Sequence, residues 1–251
     1  MPSSKPKPSE VATETKRHYL PAIKARRSSL FATLSTPGPQ SPLPANYPIP
    51  SEGAIYSECV VVFRGPHDQY KKLDRWKDLP VVSIPPARWP KLNQMGTKYA
   101  FPLERDLVKN KIRAALRICV YYGHTSVVIG DFGLGNGHRN PPQELAEIWR
   151  EVFLYDPDLR GRFDYVAFCF EDALQSTAKL ILDDIAKKAK SGHSHDSKSK
   201  SKSHSSGSST SVGGPTVPSD FEIFKHIFNP SELQDVMSRP DPRYGISMLM
   251  S

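Results

Sequence analysis

The sequence predicts an α/β fold with a mostly parallel or mixed sheet, and three observations support this. First, CVVVF (59–63), PVVSI (80–84) and SVVIG (126–130) are short, continuously apolar and rich in β-branched residues, as expected of strands covered on both faces. FDYVAFCF (163–170) is a fourth such run, with aromatic residues replacing some of the branched ones. Second, two stretches between these runs have a helical period. Third, the order strand, strand, helix, strand, helix, strand is that of an α/β domain.

Each helix is read from its apolar stripe. In Glu104–Tyr122, residues Val108, Ile112, Ala115, Leu116 and Cys119 recur at helical spacing along one face. In Pro142–Phe153, Leu145, Ile148, Trp149, Val152 and Phe153 do the same. Asp172–Lys188 is a further expected helix. FEIFKHIF (221–228) places Phe221, Phe224 and Phe228 on a short amphipathic helix that can return to the core. Glu144, Glu147 and Glu151 are expected on the solvated face of their helix.

Composition sets the limits of this core, which spans about residues 53–186. Only 38% of the 251 residues are hydrophobic and 24 are proline, so part of the chain lies outside any packed core. No apolar run is long enough to span a membrane, and MPSSKPKPSE has no apolar stretch behind its charges, so neither a membrane partner nor a secretory leader is expected. Cys59, Cys119 and Cys169 are far apart and odd in number. They are read as three buried thiols in a reducing compartment, cytoplasm or nucleus, rather than a disulfide framework or a zinc site.

The net charge of +8 is concentrated in two flanks. Residues 1–27 carry seven Lys or Arg against two Glu, and residues 187–206 carry six Lys against one Asp. Such flanks either make weak, salt-sensitive contacts with polyanions or simply keep a polar segment solvated. Residues 35–50 carry six prolines and read as an extended connector. Residues 191–218 are Ser-, Lys- and Gly-rich and lack aromatics, the composition of a flexible insert. His193, His195 and His204 in that insert are a weak metal signal, so no metal and no cofactor is expected.

One segment carries chemistry. Strand 126–130 runs directly into GDFGLGNGHRNPP (130–142) and then into a helix. Gly130, Gly133, Gly135 and Gly137 fall within eight residues, which lets backbone N–H groups approach an anion at a helix N-terminus. Ligands of α/β domains bind outside the carboxyl ends of strands, where this loop lies. Asn140 is expected to cap the helix, with Pro141 at its first position, and Arg139 to set a positive charge beside the cradle. The candidate diphosphate-binding residues are Gly130, Phe132, Gly133, Leu134, Gly135, Asn136, Gly137, His138, Arg139 and Asn140. The alternative is that the glycines only form a tight turn before a capped helix. The spacing is neither G-x-G-x-x-G nor a Walker loop, and Asp131-Phe132-Gly133 lacks the companion motifs of a kinase.

At this loop the sequence resembles the microbial-type poly(ADP-ribose) glycohydrolases, relatives of the macrodomain. VVIGDFGLGNGHRNPP (127–142) and FDYVAFCF (163–170) match that family's apolar strand, glycine loop, Asn-Pro-Pro and second strand. IYSECVVVFR (55–64), VVSIPPARWP (81–90), RRSSLF (26–31), ATETKRHYLP (12–21) and FEIFKHIF (221–228) resemble further blocks in the family's order. The resemblance implies a macrodomain-like three-layer fold and ADP-ribose or poly(ADP-ribose) as partner. It also implies a basic tail at 1–9, a binding domain over 10–190, the insert, and a C-terminal helix and tail over 219–251.

Two blocks depart from the family. The catalytic signature, a triple glycine followed by Gln-Glu-Glu between the opening helix and RRSSLF, has no counterpart. Only Ala22-Ile23-Lys24-Ala25 stands there, and the only Gly-Gly is Gly213-Gly214. In the family the second glutamate protonates the leaving ribose oxygen, so no catalytic residue is assigned and the fold is expected to be incomplete in its N-terminal half. The chain then reads as a degenerate reader of ADP-ribose, a shortened gene product, or a half-domain completed in trans. An active hydrolase using some other carboxylate and a polyanion binder acting through its flanks are the alternatives. Near the ribose the family places an aromatic residue after the last loop glycine. Here that stretch reads Gly137-His138-Arg139, with His138 as the candidate stacking group.

Overall fold

The structure is a computed structural model that describes residues 7–23, 49, 51, 53–66, 69–191 and 217–239. RRSSLF, nearly all of the proline-rich stretch and of the insert, the first six residues and everything after Arg239 lie outside the described residues. The chain divides into two compact units at Ser83/Ile84.

The first unit begins with α1 (Pro8–Glu14), which continues through a π-helical turn at Thr15–Tyr19. Pro8 opens α1 where its missing N–H costs nothing, and the Glu10 carboxylate turns back to accept from the Lys7 N–H at 3.1 Å. β1 (Ile55–Arg64) and β2 (Lys72–Ser83) pair antiparallel. Both exceed their apolar runs, because strand pairing also stabilises the polar residues of KLDRWKDL. Pro80 lies within β2 at a register shift, where Glu58 and Cys59 bulge opposite it and the proline need not donate a ladder bond. Tyr19 stacks on Phe63 at 4.4 Å, and Glu14 pairs with Arg64 and with Lys72 at 2.5 Å.

The second unit holds α2 (Pro102–Tyr121), β3 (Ser126–Ile129), α3 (Pro142–Tyr155), β4 (Tyr165–Phe168), α4 (Thr177–Ser191), α5 (Asp220–Ile227) and α6 (Pro230–Ser238). β3 and β4 pair parallel, from Ser126 opposite Tyr165 to Ile129 opposite Phe168. The predicted helical stripes form the core. Val108, Ile112, Ala115 and Leu116 of α2 and Leu145, Ile148, Trp149 and Val152 of α3 are buried, with Cys119 and Phe153 packed partly buried against them. α5 closes this core: Phe224 lies 5.1 Å and Phe228 4.8 Å from the Phe168 ring, while Phe221 faces out. Ser219 caps α5 through a reciprocal box with Glu222.

The α/β class holds, but four expectations need correction. The described strands form two two-stranded sheets, one antiparallel and one parallel, where a single mostly parallel or mixed sheet is expected, because β1 and β2 turn back on each other. The strands are not covered on both faces: β2 is largely exposed, Val128 is 70% exposed and Tyr165 is likewise in solvent. β3 has a strand on only one edge among the described residues, so its apolar residues lack the neighbour that their composition anticipates. Cys169 is exposed rather than buried, because it lies past the end of β4. Cys59 and Cys119 are half-buried, and burial pushes the Cys119 thiol pKa up. The helix expected from Asp172 begins at Thr177 instead, because Asp172–Ser176 turn to meet α5.

Candidate functional site

The loop between β3 and α3 is built from two glycines that must be glycine. Gly133 (φ 75°) and Gly135 (φ 74°) occupy the left-handed region. A Cβ at Gly133 would meet the Asn140 Nδ2 at 2.9 Å, and one at Gly135 the Gln175 Oε1 at 3.1 Å. Gly130 and Gly137 have ordinary backbone angles, and a Cβ there would enter open space.

Asn140 does not cap α3. Pro141 is the residue before the helix, and the Asn140 side chain turns inward. Its Nδ2 donates to the carbonyls of Ala87 and Gly133, both at 2.8 Å, and its Oδ1 accepts from the Tyr99 hydroxyl at 2.9 Å. Three tertiary bonds outweigh the single bond that a cap would supply. Burial, followed by the Glu144 charge, pushes the Tyr99 phenol far above its ordinary range, so it stays a donor.

Arg139 is not a free cation beside the cradle. It is buried, its Nη1 pairs with Asp184 at 2.5 Å and also donates to the Leu180 carbonyl, and its Nη2 donates to Asn136. Its charge is therefore balanced within the fold, although its Nε is buried without an acceptor among the described residues. Leu134 is buried, and Phe132 packs edge-on against Trp149 at 5.8 Å. Both anchor the loop to the core.

The loop also hangs from a relay that local sequence does not reveal. The Gly135 N–H donates to Thr177 Oγ1 at 2.7 Å, and that hydroxyl donates to Asp220 Oδ2 at 2.6 Å. Asp220 also accepts from the Thr177 N–H at 2.8 Å and from Gln175 Nε2 at 3.1 Å. The carboxylate is completely buried (0% exposed), and that burial raises its pKa despite the hydrogen bonds from Thr177 and Gln175. Loop, α4 and the start of α5 are thereby tied together.

The N–H groups of Gly130, Asp131, Gly133, Asn136 and Gly137 have no acceptor among the described residues, and Asn136 and Gly137 are exposed. His138 is half-buried. Its carbonyl accepts from the Trp89 N–H at 2.7 Å, which brings that exposed indole to the loop. Asp131 lies in the same turn. One of its carboxylate oxygens accepts from the Glu171 N–H at 3.3 Å and the other is buried without a partner.

The carboxylates of α3 are structural. Glu144, expected in solvent, is buried: it accepts from the Tyr99 N–H at 2.6 Å and pairs with Arg105 at 3.2 Å. Glu151 is held by Arg105 and Lys109, which keep its pKa below the ordinary value although burial alone would raise it. Glu147 accepts from Gln143, one turn earlier. A separate cavity of about 300 Å³ is lined by apolar side chains including Phe153, Phe163, Phe168 and Met237 and by no residue of the loop. Among the described residues no cluster of His, Cys, Asp or Glu is placed to hold a metal, and no helix is long and apolar enough to cross a membrane.

The solved structures that this chain resembles include bacterial poly(ADP-ribose) glycohydrolases. One, from Thermomonospora curvata and bound to the inhibitor ADP-HPD, is 22% identical; the match covers 55% of this chain and 49% of that one, with a TM-score of 0.41. Another, from Deinococcus radiodurans in complex with ADP-ribose, is 20% identical, covering 55% and 54%, with a TM-score of 0.40. The apo form of the Deinococcus protein is 21% identical, covering 53% and 55%, at 0.40. The chain thus spans about half the length of the structures it matches. No family model and no curated protein matches it.

Sequence reasoning placed the loop but missed Trp89, Tyr99, Thr177 and Asp220. Trp89 alone left a local sign, a lone indole between Arg88 and Pro90 in a turn. The others meet the loop from 41 to 43 positions away in sequence, or through a partner that is itself so distant.

Proposed function

We propose that this chain binds ADP-ribose, holding its diphosphate on the loop from Gly130 to Asn140, and that in this form it lacks glycohydrolase activity. The observation that carries the reading is the set of loop N–H groups without an acceptor, gathered before the N-terminus of α3. Backbone amides at a helix start favour a compact anion, and two phosphates offer acceptors enough for those of Gly130, Asp131, Asn136 and Gly137, which lie outside the sealed glycines. The sequence blocks around the loop make ADP-ribose the first ligand to try.

The second half of the proposal rests on what the nearby carboxylates already do. Protonating a glycosidic oxygen needs a carboxyl group free to approach it. Glu144 and Glu151 are committed to Arg105, Lys109 and the Tyr99 amide, Asp220 to Thr177 and Gln175, and Asp131 takes the Glu171 N–H on one oxygen while its other oxygen is buried away from solvent. The exposed Lys187 on the last turns of α4 adds salt-sensitive attraction when the ligand is the polymer.

Calorimetric titration of the full chain with ADP-ribose, alongside a turnover assay on poly(ADP-ribose), tests both parts. Heat of binding without product release is the expected result. Protein shown to be folded that gives no heat at millimolar ADP-ribose would overturn the binding reading. Turnover abolished by a single Glu→Gln change would overturn the inactive one.

A further inference from the structure

We propose that Trp89 is the platform on which the heteroaromatic base of the bound nucleotide stacks, so that the site selects nucleoside diphosphates over inorganic pyrophosphate. This rests on the reading of the loop as a diphosphate cradle and adds the group that tells one diphosphate from another.

Three observations on Trp89 converge. Its backbone is in the left-handed region, at φ 54°. That is a true outlier for a bulky residue, and more so for one followed by proline, which disfavours helical backbone at the preceding position. Such a conformation persists only where the surroundings hold it, and here the Trp89 N–H is fixed to the His138 carbonyl at 2.7 Å. The ring is also held. The Arg139 guanidinium lies 4.9 Å from its centroid, and that cation is itself anchored by Asp184. Yet the residue remains 52% exposed.

An indole with one face on a buried guanidinium and half its surface in water contributes little to the core. It is positioned, at a cost in backbone strain, to present its other face to whatever binds beside His138 and Arg139. A flat aromatic surface there suits a nucleobase, since base–indole stacking uses the π face of either ring and needs no specific hydrogen bond. Trp89 thus supplies the aromatic surface that the loop itself, at Gly137-His138-Arg139, does not.

The test is calorimetry on the full chain with ADP-ribose, ADP and inorganic pyrophosphate, in the native protein, Trp89→Ala and Trp89→Phe. Trp89→Ala is expected to weaken ADP-ribose and ADP by about tenfold or more while leaving pyrophosphate unchanged. Trp89→Phe is expected to restore nucleotide affinity but to lose the fluorescence quenching that ADP causes in the native protein. Equal binding of pyrophosphate and ADP by the native chain would overturn the proposal and leave the cradle standing. So would a Trp89→Ala change that weakens both alike or neither. Failure of every ligand, pyrophosphate included, would overturn the cradle and this inference with it.

Discussion

The two halves of the glycine loop use the same residue type for opposite ends. Gly133 and Gly135 are sealed: each has a positive φ, and each faces a side chain, Asn140 or Gln175, that a Cβ would strike. Gly130 and Gly137 are open, with ordinary angles and nothing near the position of a Cβ. The sealed pair makes the loop a fixed shape, and the open pair leaves that shape accessible. A glycine-rich stretch therefore is not one signal. Half of it is spent on folding, and only the other half is available to a ligand.

The strongest way to break that division is to remove what holds the sealed half. Asp220→Ala leaves the Thr177 N–H, its hydroxyl and the Gln175 amide without their acceptor in a fully buried place. A stability loss of about 3 kcal/mol or more is expected from the urea midpoint, with loss of ADP-ribose binding because the loop is no longer suspended. A stable Asp220→Ala protein with native affinity would show that the relay from Gly135 does not fix the loop.

The glycines themselves come next. Gly135→Ala is expected to cost about 1–3 kcal/mol, from left-handed backbone strain and the encounter with Gln175. Gly137→Ala is expected to leave stability within about 0.5 kcal/mol, because its methyl enters open space, and to weaken ADP-ribose several-fold, because in the proposed mode that space holds the diphosphate. Reversal of the two outcomes in thermal melts and calorimetry would erase the distinction between the halves.

A smaller effect separates the halves by pH. Burial raises the Asp220 carboxyl pKa above its ordinary value. Between that ordinary value, about pH 4, and the raised one, the folded chain keeps a proton that the unfolded chain has released. Asp220 therefore makes stability greatest below this window and diminishes it as pH rises through the window. Asp220→Asn is expected to flatten that part of the stability curve measured by urea unfolding from about pH 4 to 7. An unchanged slope would mean that the carboxylate is ionised throughout.

What the sequence made legible follows the reach of each interaction. The stripes of α2 and α3 were readable because a helix repeats its buried face within a few residues, and Val108, Ile112, Leu145 and Val152 are fully buried. The loop was readable because two of its clustered glycines, Gly133 and Gly135, meet a backbone demand that other residues rarely can. The role of Asn140 was not. By local rules it is a cap, and it became a cross-brace because Tyr99 and the Ala87 carbonyl, 41 and 53 positions away, offered more bonds. Glu144 was misplaced in solvent for the same reason: its partners are Arg105 and the Tyr99 amide. The sheet was misread because apolar runs report a demand for cover and do not say whether a neighbouring strand supplies it. Val128 has the composition of a buried strand residue and stands in solvent.

The finest distinction lies at Asp131, where the open half carries a charge of the wrong sign for the proposed diphosphate. One carboxylate oxygen takes the Glu171 N–H and so helps hold the strand ends together, while the other is buried and unpaired. If the neighbouring amides receive a diphosphate, this carboxylate repels it, and the cost shrinks as salt screens it. Asp131→Asn keeps an acceptor for Glu171 and removes the charge. It is expected to strengthen ADP-ribose binding by about two- to fivefold at low salt, with the gain fading toward physiological ionic strength. The same change has a second readout. Asp131 is among the groups that raise the Asp220 pKa, so its neutralisation should move the pH window of Asp220 slightly downward. Weaker binding in Asp131→Asn would instead make the carboxylate a support of the loop whose structural contribution exceeds its electrostatic cost.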